Sequence, residues 1–107
     1  MILQNQGEFI ESGNAKLAVG DRIIATDSDY AGLKGRITEI RTGADKDTAN
    51  VTDDVYCCFE VPESKKEQQL LEEHFSALYG EKKTVDDLCL DMVIMAPEEL
   101  RTVKDDE

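Results

Sequence analysis

The sequence predicts a mainly β (α+β) fold: a small antiparallel barrel carrying one inserted α-helix. Three observations predict it. Short apolar stretches alternate between two faces and are cut off every few residues by turn-forming side chains. One segment, 64–80, carries a helical period framed by a cap at each end. Gly32 and Gly35 bracket a tight turn between two of the strand-like runs. At 107 residues the chain reads as a single domain, 1–107, with the helical insertion at about 64–88. A domain of this size buries a core without metal or disulfide staples.

The elements follow in order. Residues 1–16 either seed short edge strands at Ile2-Leu3 and Phe9-Ile10, with Ser12-Gly13-Asn14 as the turn into the barrel, or stay loosely ordered. Gly20-Asp21 opens the first barrel strand, 22–26, with Ile23 and Ala25 on one face and Ile24 and Thr26 on the other. An acidic loop follows. In the next strand, 35–42, Ile37 and Ile40 are three apart, which predicts a bulge or bend at Thr38-Glu39 to bring both to one side. Residues 43–54 are polar and turn-rich and read as a loop. Residues 55–61 alternate, with Val55, Cys57, Phe59 and Val61 inward and Tyr56, Cys58 and Glu60 outward, and Pro62 ends the strand.

Ser64-Lys65-Lys66-Glu67 has capping-box spacing. Leu70, Leu71, Phe75, Leu78 and Tyr79 recur at helical period and Gly80 closes the helix. Leu71, Phe75 and Leu78 are expected to pack it on the barrel. Thr84-Val85-Asp86-Asp87 repeats the cap over a single turn ending near Leu88. Residues 90–96 read as a further strand and Pro97-Glu98-Glu99-Leu100 as a tight turn. Leu100 and Val103 then return to the barrel, and Lys104-Asp105-Asp106-Glu107 reads as a frayed end.

The formal net charge is −12. Residues 1–50 hold 6 basic and 8 acidic side chains, and residues 51–107 hold 6 and 16. A surplus of this sign opposes phosphate backbones and favours basic partners and solubility. Cys57, Cys58 and Cys89 match neither a zinc knuckle nor a secreted disulfide framework, which points to a reducing cytoplasm. Cys57 and Cys89 read as core residues, and Cys58 as an outward thiol without the positive surroundings that activate one. No apolar run reaches the length of a membrane span.

No catalytic set stands out. Asp45, Asp47, Asn50, Asp53 and Asp54 crowd one loop, but Ala49 interrupts the ligand spacing of a calcium loop, so a solvated acidic loop is the expectation. His74 is the sole histidine, at the edge of the helical stripe, with no recognisable nucleophile or orienting partner. Asp86-Asp87 and Glu98-Glu99 sit at helix starts, where negative charge is favoured. There is no phosphate-cradling loop and no dinucleotide fingerprint.

Gly20-Asp21, the pair Gly32 and Gly35, and the run Ile37 through Ile40 make residues 19–42 resemble the first part of a KOW-type SH3-like barrel. Residues 93–100 are similar to the closing strand and helical turn of such barrels. Together these stretches cover about a third of the chain. The resemblance implies an SH3-like small barrel, from a family common in ribosomal proteins and transcription factors that touch RNA or RNA polymerase. The loop that is basic in RNA-binding members reads Thr26-Asp27-Ser28-Asp29-Tyr30 here, and the helix at 64–79 is no part of the minimal barrel.

In SH3-like barrels the loops carrying Tyr30 and Tyr56 flank a binding groove. Exposed aromatics beside carboxylates suit a basic segment. The expectation is a non-enzymatic, cytoplasmic interaction or regulatory module without a cofactor or metal. It would bind a basic protein surface through Asp27, Asp29, Tyr30, Asp53, Asp54 and Tyr56, with no direct nucleic-acid or membrane contact. The alternative is an accessory KOW-like domain of transcription, translation or other nucleic-acid machinery. Arg22, Lys34, Arg36 and Arg41 are its candidates for a positive patch.

Overall fold

The computed structural model describes residues 1–12, 15–49 and 51–103. The turn expected at Gly13-Asn14, loop residue Asn50 and the end Lys104-Asp105-Asp106-Glu107 lie outside the described residues.

The chain is mainly β with one helix. The strands are β1 (Ile2–Leu3), β2 (Phe9–Ser12), β3 (Ala15–Ala18), β4 (Arg22–Ala25), β5 (Lys34–Arg41), β6 (Asp54–Phe59), β7 (Val93–Met95) and β8 (Leu100–Thr102), with helix α1 (Lys65–Tyr79) between β6 and β7. The main sheet runs β7-β6-β5-β4-β8, all antiparallel, and β2 with β3 forms a separate hairpin. β1 pairs with the end of β5, Leu3 opposite Ile40.

The spacing of Ile37 and Ile40 is explained by a register shift between Ile37 and Glu39. The bulge turns Ile37 and Ile40 to the same side, where both are buried. It also divides β5: β4 lies against its first half and β1 against its second. Within the turn before β5, Gly32 has φ +94°, the left-handed region that glycine tolerates. Gly35 has a different role from the one expected. It is inside β5, not at the turn, and a Cβ there would stand 2.1 Å from the Cys58 carbonyl oxygen. It is glycine because the backbone of β6 passes too close for a side chain.

The chain turns from β7 into β8 through a 3-10 turn, Pro97–Glu99, closed by Glu99 Oε1 accepting from the Ala96 N–H at 2.9 Å. This turn carries the chain across the core, so β8 pairs with β4 (Ala25 opposite Leu100) and not with β7. Among the described residues β7 and β8 share no ladder, and the sheet is not closed by backbone pairing. Leu17, Ile23, Ile37, Val55, Phe59, Leu90 and Met95 meet in one apolar cluster drawn from every part of the fold. Residues 15–18, not expected as a strand, supply Leu17 to it.

Helix α1 keeps its predicted limits. Ser64 Oγ accepts from the Glu67 N–H, and Gly80 ends the helix at φ +70°. Phe75 is 2% exposed and Leu71 packs against the core. Leu78 does not: it is 51% exposed, because the seam is taken by Leu71 and Phe75, one turn apart, and Leu78 lies on the next stripe round. Val61, expected inward, is also exposed, since β6 stops at Phe59. No helix among the described residues is long and apolar enough to cross a membrane.

Candidate functional site

The six residues expected to share one groove fall in two separate places. Asp27, Asp29 and Tyr30 belong to the loop between β4 and β5. Asp53, Asp54 and Tyr56 lie at the start of β6. Tyr56 and Phe59 are three residues apart on β6, about 10 Å of extended strand, and Tyr30 packs at the Phe59 end.

At the first place the loop is tied at its base, with the Ala25 N–H donating to the Leu33 carbonyl at 2.9 Å and the Gly32 N–H to that of Ala25 at 2.8 Å. Asp27 is exposed and accepts from the Ser28 N–H at 2.7 Å. Asp29 is exposed and meets His74 Nε2 of α1 at 3.1 Å. Tyr30 turns inward, against the expectation of an exposed ring. It stacks on Phe59, centroids 5.9 Å apart, and leans on Phe75 at 5.4 Å. Burial pushes its hydroxyl above the ordinary tyrosine range, helped by the nearby Tyr79, Asp29 and Cys89.

The second place is structural in character. Tyr56 is 6% exposed. Alternation does put it on the face opposite Val55 and Cys57, but residues 42–48 fold back over that face. The Arg41 guanidinium sits 5.0 Å from the ring centroid and the hydroxyl donates to Asp47. Burial and the Asp47 carboxylate push the phenol up to about 12, against a smaller opposing pull from Arg41. Asp54, expected in a solvated loop, is fully buried. It accepts from the backbone N–H groups of Asp47 and Thr48, at 2.8 and 2.9 Å, and from the Thr48 hydroxyl. Burial alone would raise its pKa, but the three hydrogen bonds together outweigh it and hold the carboxyl below the ordinary range. The loop's carboxylates therefore organise the loop itself. Asp53 is half-buried beside Asp54. No group of three or more His, Cys, Asp or Glu among the described residues could hold a metal ion.

Of the two thiols expected in the core, one is there and one is not. Cys57 is in the core, where burial pushes its thiol up to about 12. Cys89 is exposed, its Sγ 3.2 Å from Asp91, and Leu90 takes the core position instead.

What the fold does build is a groove of about 490 Å³ between the 26–33 loop and α1. Leu33, Leu70, Leu71 and Pro62 line it, and Asp29, Glu67 and His74 stand at its edge. Leu70 is 57% exposed. Of the predicted residues only Asp29 lines it. The signal for the rest was present in the helix, which carries more apolar positions than one packed face needs: Leu71 and Phe75 fill the seam and leave Leu70 and Leu78 over.

The outer face of the sheet is different in sign. Arg22 pairs with Arg36, and Ile24 lies between Lys34 and Arg101, all on the face away from the core. Arg36 donates to the Gly20 carbonyl at 3.2 Å. Arg41 is on the same side of the sheet but apart from this cationic cluster. It lies beyond the bulge, on Glu39 at 2.5 Å and Asp47 at 3.1 Å.

No protein-family model matches the chain, and neither does any curated protein or solved structure.

Proposed function

We propose that this chain is an SH3-like barrel serving as a non-enzymatic interaction or regulatory module, and that it binds a basic protein segment. The observation that carries the reading is the groove between the 26–33 loop and α1, with an apolar floor of Leu33, Leu70 and Leu71 and carboxylates at Asp29 and Glu67. Such a surface takes a short segment carrying both an aliphatic and a cationic side chain. The apolar contact supplies most of the affinity, and the carboxylates supply register and association rate. The net charge of −12 acts in the same sense at longer range. The barrel assignment is supported by the strand order β7-β6-β5-β4-β8 and by the 3-10 turn joining the two outer strands. A cytoplasmic setting, where Cys57, Cys58 and Cys89 stay as thiols, is part of the proposal.

The reading is tested by titrating the isotopically labelled protein with a short peptide of lysine and leucine while following backbone amides by NMR. Shifts should concentrate in residues 28–33 and 67–74 and weaken as salt rises. Leu70→Ala and Asp29→Asn should each reduce affinity. Binding that leaves those amides unmoved, or ignores both substitutions, rejects it.

A second reading, an accessory domain of nucleic-acid machinery, is favoured by one observation: the register gathers Arg22, Lys34, Arg36 and Arg101 on one sheet face. In this reading the face meets phosphates as part of a larger complex, where partner charges offset the acidic remainder of the chain.

A further inference from the structure

Past the His74–Asp29 contact, towards the C-terminal end of α1, lies a second and smaller cavity of about 310 Å³. Three aromatic rings line it: Tyr30, Phe75 and Tyr79. Phase by phase along the helix, Leu70, Leu71 and His74 belong to the groove, and Phe75 and Tyr79 belong to this pocket. Tyr30 and Phe75 are 5.4 Å apart and tilted by 49°, and Phe75 and Tyr79 are 6.2 Å apart. Aromatic faces are negative and attract ammonium groups. A carboxylate, Asp87, completes the lining. Thr84 donates to Asp87 from its backbone N–H at 3.0 Å and from its hydroxyl at 3.1 Å, which holds the acid below its ordinary range.

The pocket already contains a cation. Lys83 Nζ stands 5.2 Å from the Tyr79 ring centroid and 2.8 Å from Glu81. Its side chain is only 24% exposed. Lys83, itself a lining residue, therefore shows an ammonium group held over one of these rings, that of Tyr79.

We infer that the Tyr30–Phe75–Tyr79 pocket is the subsite for a lysine side chain of the bound segment, and that Lys83 is a tethered competitor that the incoming ammonium displaces. The inference rests on the proposed reading of the groove as a docking site for a basic segment. It adds a spacing rule. Leu71 and Tyr79 are eight residues apart, about 12 Å along the helix axis. An extended peptide covers that distance in about four residues. The partner should carry its aliphatic side chain in the groove and its lysine three or four positions away.

The test uses the full chain and two small probes, N-acetyl-lysine methylamide and its uncharged counterpart N-acetyl-norleucine methylamide. Aromatic resonances of Tyr79 and Tyr30 are followed by NMR. The lysine probe should give saturable shifts, and the norleucine probe should give none. Lys83→Gln removes the competitor and should lower the half-saturating concentration by about two- to fivefold, the worth of one exposed cation–π contact. Tyr79→Leu should abolish the shifts. Tyr79 is 58% exposed, so this variant keeps its fold, and unchanged melting verifies that. An unchanged or raised half-saturation in Lys83→Gln, or equal shifts from both probes, overturns the inference. The lysine–leucine peptide separates the two ideas. If it moves Leu70 and Leu71 methyls while Lys83→Gln has no effect, the pocket inference falls and the groove stands. If the lysine probe moves Tyr79 while the peptide leaves those methyls unmoved, the groove reading falls, the spacing rule falls with it, and the pocket stands as a lysine site only.

Discussion

The Tyr30 ring lies parallel to that of Phe59, centroids 5.9 Å apart and planes 7° apart. That contact joins the 26–33 loop to β6, and Phe75 adds α1 to the same stack. The loop and the helix that frame the groove are thus held against one core strand by aromatic packing, and the exposed His74–Asp29 pair spans the gap above it. An exposed pair of this kind contributes about 1 kcal/mol or less. The rings set the geometry of the groove, and the polar pair trims its edge.

Phe75→Ala should destabilise the fold by about 3–5 kcal/mol, because the ring is fully buried and its loss leaves a cavity under Tyr30. Leu78→Ala, on the same helix, should change stability by no more than about 0.5 kcal/mol, since Leu78 is exposed. Urea unfolding of both variants checks the pair. Equal losses at the two positions would show that the buried stripe has been misassigned.

Gly35→Ala should cost about 3 kcal/mol, near the upper end for overpacking, because the new methyl meets backbone rather than a side chain that could move aside. Its nearest neighbours are the Cys58 carbonyl oxygen at 2.1 Å and the Phe59 Cα at 2.8 Å. Gly32→Ala meets open space and should cost only the strain of a positive φ, about 1–2 kcal/mol. Thermal melts of the two variants rank them, and a larger loss at Gly32 would contradict the close approach of β5 and β6.

Asp54 links the acidic loop to pH. Its carboxyl titrates lower in the folded state than in the unfolded chain, so the charged form binds the fold more strongly. The stabilisation is complete above the unfolded value, about 3.9, and is lost as pH falls through the lower folded value. Asp54→Ala should remove it at every pH and leave the N–H groups of Asp47 and Thr48 without their acceptor, a loss of about 1–3 kcal/mol. Denaturant midpoints measured from pH 7 down to pH 2 should fall less steeply in the variant than in the parent. Parallel curves would mean that Asp54 is not a source of acid lability.

Much of the fold was legible because local chemistry and tertiary packing agree. The three-residue spacing of Ile37 and Ile40 has one simple remedy, a bulge, and the chain uses it. Ser64 and Gly80 frame α1, and Pro97 marks the turn into β8. The errors share a cause. Alternation says which face Tyr56 is on, but not that residues 42–48 return to cover that face. Residues 88–92 have no clear period, so Cys89 was expected in the core, where Leu90 lies instead. β3 is short and holds Lys16 between Ala15 and Leu17, and only its pairing with β2 makes it a strand. Only the surplus apolar positions of α1 hinted at the groove, because it exists only where residues 28–33 come against residues 67–74, far apart in the chain.

Tyr56 should ionise well above a free tyrosine, at about 12. Burial is the larger cause and the Asp47 acceptor the next. A raised folded value means that the fold favours the neutral phenol. The stabilisation is full below the unfolded value, about 10, and is lost as pH rises through about 12. Absorbance titration at the phenolate band should show a late step that Tyr56→Phe removes. That variant should also lose about 0.5–1.5 kcal/mol at neutral pH with the hydrogen bond to Asp47. A late step that survives the substitution would assign it to another tyrosine.

Charge reversal on the two surfaces separates the two functional readings. Arg36 lies on the outer sheet face, opposite Arg22 in register, and Asp29 lies at the groove. Binding of a basic peptide in the groove should be weakened several-fold by Asp29→Lys, since like charges meet at the contact, and the effect should shrink as salt screens it over about 8 Å at physiological ionic strength. Arg36→Glu should leave that binding nearly unchanged, because its side chain is on another face. Short RNA and DNA duplexes should show negligible affinity for the isolated chain, whose net charge of −12 opposes them. Fluorescence anisotropy with labelled peptide and labelled duplex measures all of these together. Submicromolar duplex binding that falls with Arg36→Glu and ignores Asp29→Lys would reverse the order of the two readings, making the cationic sheet face the working surface and the groove a secondary feature.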